Sequence, residues 1–284
     1  MQHVGIIGFP VAHSLSPRMQ QAAFDACGIA ARYTFWETDP SRLANRIASL
    51  RAPEMLGANV TIPHKTAALA FIDECDPLAA RVGAINTIVN RDGRLIGYNT
   101  DVGGFMQALA THKDHPFQSQ GKHAVIIGTG GAARAAAVGL LEGEVAELAV
   151  LGRTEAHLAS LLQSLQAAAP PSASSARLHA ARLDSTDSSR FLAQADLLVN
   201  ATPVGLHERD AQILIDVRLV SPAALVMDMI FNPPYTPLLR AAHAQGCAVL
   251  NGLSMLLYQG ALAFRLWTGQ PAPVEVMQRA LGLS

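Results

Sequence analysis

Ala124-Val125-Ile126-Ile127-Gly128-Thr129-Gly130-Gly131-Ala132-Ala133-Arg134 is the stretch on which the fold of this 284-residue chain turns. Its apolar run reads as a strand buried on both faces, and the G-x-G-x-x-A pattern that follows reads as a tight turn opening a helix. Glycine there lets the backbone come close to a ligand. The amides of Gly128, Thr129, Gly130, Gly131 and Ala132, with the helix N-terminus behind them, then form a cradle for a pyrophosphate. The pattern alone is weak, but strands continue downstream at regular intervals: His123 to Ile127, Ala146 to Leu151, Arg177 to Ala180, Asp196 to Val199, Leu225 to Asp228 and Ala248 to Leu250. Six strands alternating with helices make a doubly wound, Rossmann-like dinucleotide-binding domain. The earlier Gly5-Ile6-Ile7-Gly8-Phe9-Pro10 also follows a strand, but it lacks the glycine spacing and a proline interrupts it.

The end of the second strand selects the dinucleotide. NAD sites place a carboxylate there for the ribose 2′-hydroxyl, and NADP sites offer a cation to the 2′-phosphate. Here the chain reads Val150-Leu151-Gly152-Arg153-Thr154. Arg153 and Thr154 supply a cation and a hydroxyl, which favours NADP; Glu155, one residue on, keeps NAD possible.

Upstream, a second α/β set has strands at Val4 to Ile7, Tyr33 to Glu37, Ala58 to Thr61 and Ile85 to Asn90, with helices near 17–27, 41–50 and 64–72. Ser16-Pro17 reads as N-cap and first helical residue, and Gly28 as the residue closing that helix. A polar connection from Thr111 to Lys122 joins the sets. Apolar residues at helical spacing from Leu253 to Trp267 form a C-terminal helix that returns to the first set. The expected organisation is α/β throughout with mainly parallel sheets: residues 1–104 with 252–284 as a substrate-binding, catalytic domain, and 105–251 as the NADP-binding domain. Ala167 to Ala176 is a low-complexity surface loop.

Composition excludes several function classes. A formal charge of −1 with no basic run leaves no footprint for nucleic acid. The N-terminus has no basic, apolar leader pattern and no apolar run approaches a membrane span, so the expectation is a cytoplasmic protein with no membrane partner. Three scattered cysteines, Cys27, Cys75 and Cys247, argue against a disulfide framework. Of the ten histidines, only His112 and His115 cluster, in a polar connection with no further ligand, so no metal is expected.

Only three lysines stand among twenty-one basic residues, and Lys65 alone sits in a patterned, largely apolar segment. Arginine keeps its proton in proteins, whereas lysine can be brought to titrate near neutrality. Lys65 is expected in the first turn of the 64–72 helix. There the positive helix end disfavours an ammonium and a nearby carboxylate favours it, a balance suited to acid–base work.

The first set carries further long motifs in order: Gly8-Phe9-Pro10-Val11-Ala12-His13-Ser14-Leu15-Ser16-Pro17, Gly57-Ala58-Asn59-Val60-Thr61-Ile62-Pro63-His64-Lys65, Gly83-Ala84-Ile85-Asn86-Thr87 and Gly97-Tyr98-Asn99-Thr100-Asp101. With Asn200-Ala201-Thr202-Pro203-Val204-Gly205 and Gly252-Leu253-Ser254-Met255-Leu256-Leu257-Tyr258-Gln259, they resemble the motifs of the shikimate dehydrogenase family over almost the whole chain. The resemblance implies that Lys65 and Asp101 are a catalytic pair handling a hydroxyl proton while a hydride passes to or from the nicotinamide. It implies that Ser14 and Ser16 hold the substrate carboxylate, that Asn59, Thr61, Asn86 and Gln259 bind ring hydroxyls, and that Met229 and Gly252 lie near the nicotinamide. Phe231 stands where many members have a tyrosine reaching the substrate. Gly152 replaces the usual Asn of an Asn-Arg-Thr motif, and His157 stands where a second basic residue often helps with the 2′-phosphate. Ser16, rather than threonine, resembles shikimate-using more than quinate-using members.

The implied activity is reversible NADPH-dependent reduction of 3-dehydroshikimate to shikimate, a chorismate-pathway step of aromatic amino acid biosynthesis, by a monomer or homodimer acting on a small molecule. An NAD-dependent quinate, shikimate or amino-shikimate dehydrogenase is the alternative on the same scaffold. A non-catalytic metabolite-binding protein is a third reading, which retention of both Lys65 and Asp101 disfavours.

Overall fold

The computed structural model describes residues 1–168, 176–206 and 212–283. The chain divides into two compact units, Met1–Gly104 with Leu256–Ser284, and Phe105–Met255.

The first unit contains β1 (Gln2–Gly8), α1 (Ser16–Ala26), β2 (Ala31–Glu37), α2 (Leu43–Ser49), β3 (Met55–Val60), β4 (Glu74–Cys75), α3 (Pro77–Val82), β5 (Thr87–Arg91), β6 (Arg94–Tyr98) and the start of α4 (Asp101–Ala110). Its six strands run in the order β2-β1-β3-β5-β6-β4. The β1–β2, β1–β3 and β4–β6 pairs are parallel, but β3–β5 and β5–β6 are antiparallel, so this sheet is mixed. Asp92 (φ 53°) and Gly93 (φ 85°) make the two-residue turn between β5 and β6. An Asp-Gly pair accepts positive φ at both positions, which suits the twist of a hairpin. Ile7, Ile47, Leu50, Ala58, Ile85, Ile88 and Leu95 fill the core on one side of this sheet, all fully buried.

Two local expectations are corrected. In place of a helix over 64–72 the chain forms a short 3-10 helix, Ala67–Phe71, and Lys65 lies just before it, inside a single turn closed by the Ala68 N–H on the His64 carbonyl at 2.9 Å. The Lys65 carbonyl accepts the Ile85 N–H at 2.9 Å, and Leu69 bonds Thr66 at 3.3 Å instead of reaching back to Lys65. The α-helix start expected around Lys65 is therefore absent. Ser16 is not the cap of α1 either. The helix begins at Ser16 with Leu15 in the cap position, and the Ser16 N–H donates to Ser14 Oγ at 3.2 Å.

The second unit contains β7 (His123–Ile127), α5 (Gly131–Glu142), β8 (Glu147–Gly152), α6 (Glu155–Ala168), β9 (Arg177–Arg182), α7 (Thr186–Gln194), β10 (Leu197–Asn200), β11 (Leu225–Asp228), α8 (Pro237–Ala244) and β12 (Ala248–Asn251). Every neighbouring pair is parallel, in the order β12-β11-β10-β7-β8-β9. Counted from β7 this is the doubly wound order 3-2-1-4-5-6, with β7 at the point where the winding reverses. Val125, Ile127, Leu151, Leu198 and Val226 pack between the sheet and its helices. Residues 169–175 of the expected 167–176 loop lie outside the described residues.

α9 (Leu253–Thr268) and α10 (Val274–Leu281) end the chain, and α10 packs on α1. The Phe24 and Phe264 rings meet at 5.2 Å, Gln20 Nε2 donates to the Gly260 carbonyl at 2.9 Å and Trp267 Nε1 to the Ile88 carbonyl at 3.0 Å. Among the described residues no helix is long and apolar enough to cross a membrane.

Candidate active site

Polar side chains gather in the first unit where β3, β5 and the start of α4 meet. Lys65 Nζ donates to Asp101 Oδ2 at 2.5 Å, with the lysine side chain 19% exposed and the carboxylate 6%. Asp101 opens α4, and Asn99 Oδ1 caps that helix by accepting the Asp101 and Val102 N–H groups at 3.1 and 3.3 Å. The other carboxylate oxygen, Oδ1, accepts Asn86 Nδ2 at 2.8 Å. Asn86 Nδ2 also lies 2.9 Å from Thr100 Oγ1 and 3.4 Å from Gln259 Oε1, while its Oδ1 accepts the Thr100 N–H at 2.7 Å. Gln259 comes within reach because a Cβ at Gly104 would stand 2.6–2.9 Å from Gln259 atoms; glycine lets α4 and α9 touch. The carboxylate is thus fixed from below by an amide and presents its other oxygen to an ammonium that is still partly open to solvent.

A second group surrounds the N-terminus of α1. Ser16 is buried, and its hydroxyl lies in hydrogen-bond contact with the Tyr33 phenol. That phenol donates to Asn59 Oδ1 at 2.7 Å. Burial pushes the Tyr33 pKa well above its usual value, with the Ser16 hydrogen bond opposing, so the phenol stays protonated and remains a donor. Asn59 Nδ2 donates to the Asn86 carbonyl and to Thr87 Oγ1, both at 3.1 Å. Both ends of the Asn59 amide are therefore held by the protein, and it braces the Asn86 strand. Thr61 is half-buried; its N–H bonds the Ile7 carbonyl at 2.8 Å and its Cγ2 lies where a Cβ at Gly8 would sit, 2.5 Å away. The Phe9 N–H donates to the Ile62 carbonyl at 3.1 Å, tying the Ser14 loop to the segment that carries Lys65.

In the second unit, Gly130 is the N-cap of α5, and a Cβ added there would meet nothing within 4 Å. Gly128 has φ 120°, and a Cβ there would crowd the Ala201 carbonyl at 3.1 Å. The turn thus needs glycine at one position for its backbone and leaves open space over the other, beside the free N–H groups of a helix start. Those features fit a bound pyrophosphate across Gly128, Thr129, Gly130, Gly131 and Ala132. Arg153 and Thr154 follow the end of β8, both exposed.

Met229 and Gly252 are in direct contact. A Cβ at Gly252 would lie 2.0 Å from the Met229 carbonyl oxygen, and the Gly252 N–H donates to Ile230 at 3.0 Å. Asp228, fully buried at the end of β11, fixes this corner: its carboxylate accepts Thr236 Oγ1 at 2.7 Å and both Asn200 Nδ2 and the Ile230 N–H at 3.1 Å. Burial raises the Asp228 pKa against the lowering effect of those three donors. Phe231, half-buried, follows in the same segment.

Tyr33, Thr87, Asn99, Thr100 and Asp228 belong to these networks and were not singled out from sequence. Asn99 had a readable signal, an Asx residue just before an apolar helix. Tyr33 had none, because an aromatic residue at alternating spacing reads as core.

A doubly wound parallel sheet whose first turn is glycine-lined, joined to a second α/β unit with a lysine–carboxylate cluster, defines a two-unit Rossmann-type protein. Residues 6–88 match the shikimate dehydrogenase substrate binding domain, and residues 252–281 the shikimate 5'-dehydrogenase C-terminal domain. The chain is 44% identical to a shikimate dehydrogenase (NADP(+)) of Symbiobacterium thermophilum, over 98% of this chain and 92% of that protein. It superimposes on shikimate 5-dehydrogenase of Thermus thermophilus in complex with NADP(H) and shikimate with a TM-score of 0.87 at 36% identity, covering 99% of each chain. Quinate dehydrogenase of Corynebacterium glutamicum in complex with NAD gives a TM-score of 0.85 at 29% identity, covering 98% of each. This chain belongs to the shikimate dehydrogenase family.

Proposed function

We propose that this protein is an NADPH-dependent shikimate dehydrogenase that reversibly reduces 3-dehydroshikimate to shikimate, in the cytoplasm, on the way to chorismate and the aromatic amino acids. The observation that carries the mechanism is the Lys65 Nζ to Asp101 Oδ2 contact of 2.5 Å, with Asn86 locked on the opposite carboxylate oxygen at 2.8 Å. Names and ligands of the relatives support the activity; the geometry supports the division of labour.

Ser14 and Ser16 take the substrate carboxylate beside the α1 start, which favours an anion. Thr61 and Gln259 orient the ring, with Asn86 fixing the Asp101 carboxylate and Asn59 holding the Asn86 strand in place. Lys65 donates its proton to the substrate carbonyl oxygen as that oxygen gains charge, and in the reverse direction accepts the hydroxyl proton. Asp101 holds the ammonium in line and steadies its charge. Gly128 to Ala132, with Arg153 and Thr154, would hold NADP(H), and Met229 and Gly252 would line its nicotinamide end; when bound, the nicotinamide supplies the hydride. Phe231 offers an apolar edge where a hydroxyl contact is common in the family.

Steady-state rates with shikimate and quinate, each with NADP and with NAD, test this reading. Shikimate with NADP should give the highest kcat/KM. Phe231, Gly152 and His157 favour the second reading, an NAD-linked quinate-type enzyme, and a clear preference for quinate with NAD would replace the first by it. Lys65→Ala should lower kcat by roughly 10²- to 10⁴-fold, the range for loss of a general acid–base group, with a smaller change in KM. Unchanged turnover would remove Lys65 from the mechanism.

A further inference from the structure

The end of β9 brings a second guanidinium to the point where Arg153 leaves β8. Gly152 and Arg182 are direct partners in the parallel β8–β9 pair, and the Leu183 N–H donates to the Gly152 carbonyl at 3.0 Å. Residues paired in register share a face of the sheet. A Cβ at Gly152 would stand 3.1 Å from Leu158 Cδ2 and 3.5 Å from Thr129 Cγ2, so that face runs under the start of α6, beside the glycine turn. Beyond the strand end the Arg182 guanidinium reaches the place where Arg153 leaves β8, its Nη1 lying 3.5 Å from the Arg153 carbonyl. Its other edge is held in a fork by Asp184, Nε to Oδ1 at 3.0 Å and Nη2 to Oδ2 at 2.8 Å.

The inference rests on the reading that NADP(H) binds across the glycine turn with its adenosine ribose at the end of β8. A 2′-phosphate is close to a dianion, and a single arginine neutralises only part of it. The nearby α6 position offers His157, whose ring lacks the planar fork of a guanidinium. Arg182 carries a permanent charge and a planar fork suited to phosphate oxygens. Its pair with Asp184 is exposed, 48% and 69%, so solvent already screens it and it loosens at little cost.

We propose that Arg182 is a second 2′-phosphate-binding cation that, with Arg153, selects NADP over NAD, and that Asp184 limits this selection by holding the guanidinium and by its own negative charge. The two residues then act with opposite sign. Dissociation constants for NADP and NAD, measured by calorimetry on the full chain without substrate, should show Arg182→Ala weakening NADP about tenfold, as for loss of a charge-assisted contact, with NAD unchanged. Asp184→Asn should tighten NADP several-fold, again with NAD unchanged. The salt dependence of NADP affinity should become shallower in Arg182→Ala.

Arg153→Ala serves as the reference variant. If it weakens NADP while Arg182→Ala leaves the NADP to NAD ratio untouched, the role of Arg182 is refuted and the proposed function stands. If Arg182→Ala weakens both dinucleotides equally, its effect is on shape and the inference also fails. If Arg153→Ala itself has no effect on NADP, the phosphate lies elsewhere and the inference falls together with the cofactor reading.

Discussion

Asn86 engages every hydrogen-bonding group it has. Its backbone N–H bonds the Tyr98 carbonyl at 3.0 Å, its carbonyl accepts the Val60 N–H at 2.8 Å, and its amide joins Thr100, Asp101 and Gln259. Replacement by alanine leaves a buried Thr100 N–H and one oxygen of a buried carboxylate without those partners. Asn86→Ala should therefore cost about 2–4 kcal/mol, since an orphaned buried group loses its full solvation, and urea unfolding measures it. Turnover should fall with it because Asp101 loses its fixed orientation, while NADP affinity should not change; a variant with wild-type stability and kcat would refute this account. Lys65, Asp101 and Asn86 were visible in sequence because a lone lysine and long family-like motifs single them out. Their support was not: whether Lys65 begins a helix depends on where its carbonyl bonds, and that partner, Ile85, lies twenty residues on. The same limit applies to Ser16, which lies inside α1 with its N–H on the hydroxyl of Ser14.

Elements were legible where local pattern and burial agree. Four of the six strands of the second unit, β7, β8, β10 and β11, are short apolar runs buried on both faces, as parallel strands under helices are, and the glycine turn marks their centre. In the first unit β4, α3 and β6 went unread, and with them the antiparallel part of the sheet. The β5–β6 hairpin had a signal in Asp92-Gly93, the dipeptide that best fits such a turn. It was obscured because α/β alternation elsewhere argued for parallel pairing. Loop-to-helix joints are the other demanding elements, and Gly252 is the tightest of them. With a Cβ 2.0 Å from the Met229 carbonyl, Gly252→Ala has to push the β12–α9 joint off the end of β11. Overpacking against backbone should cost about 1–3 kcal/mol, seen as a lower melting temperature, and should weaken NADP binding, seen by titration. A normal melting temperature with normal NADP affinity would mean that this joint has slack the contact distances deny.

At the scale of the molecule, one unit is continuous in sequence and the other is closed only when residues 256–284 return to residues 1–104. Trp267 is the clearest closure. It is 3% exposed, its ring lies 6.1 Å from that of Tyr33, and its indole N–H satisfies the Ile88 carbonyl on β5. Gly57 is small where the indole nitrogen passes, since a Cβ there would stand 2.9 Å from it. Through Tyr33 the ring stands one contact behind Ser16 and Asn59, so its loss should be felt in the substrate residues. Trp267→Ala should destabilise the first unit by about 3–5 kcal/mol, the cost of emptying a large aromatic site, whereas Trp267→Phe, which keeps a ring and loses the N–H, should cost less. Because a two-unit chain need not unfold in one step, a single melting temperature is a poor measure. The better one is linkage: shikimate should protect the wild type against heat and protect Trp267→Ala far less, while the NADP dissociation constant stays the same in both. If NADP affinity falls in step with shikimate protection, the return of the C-terminal helices supports the whole chain rather than the first unit, and the division of labour argued for Trp267 is wrong.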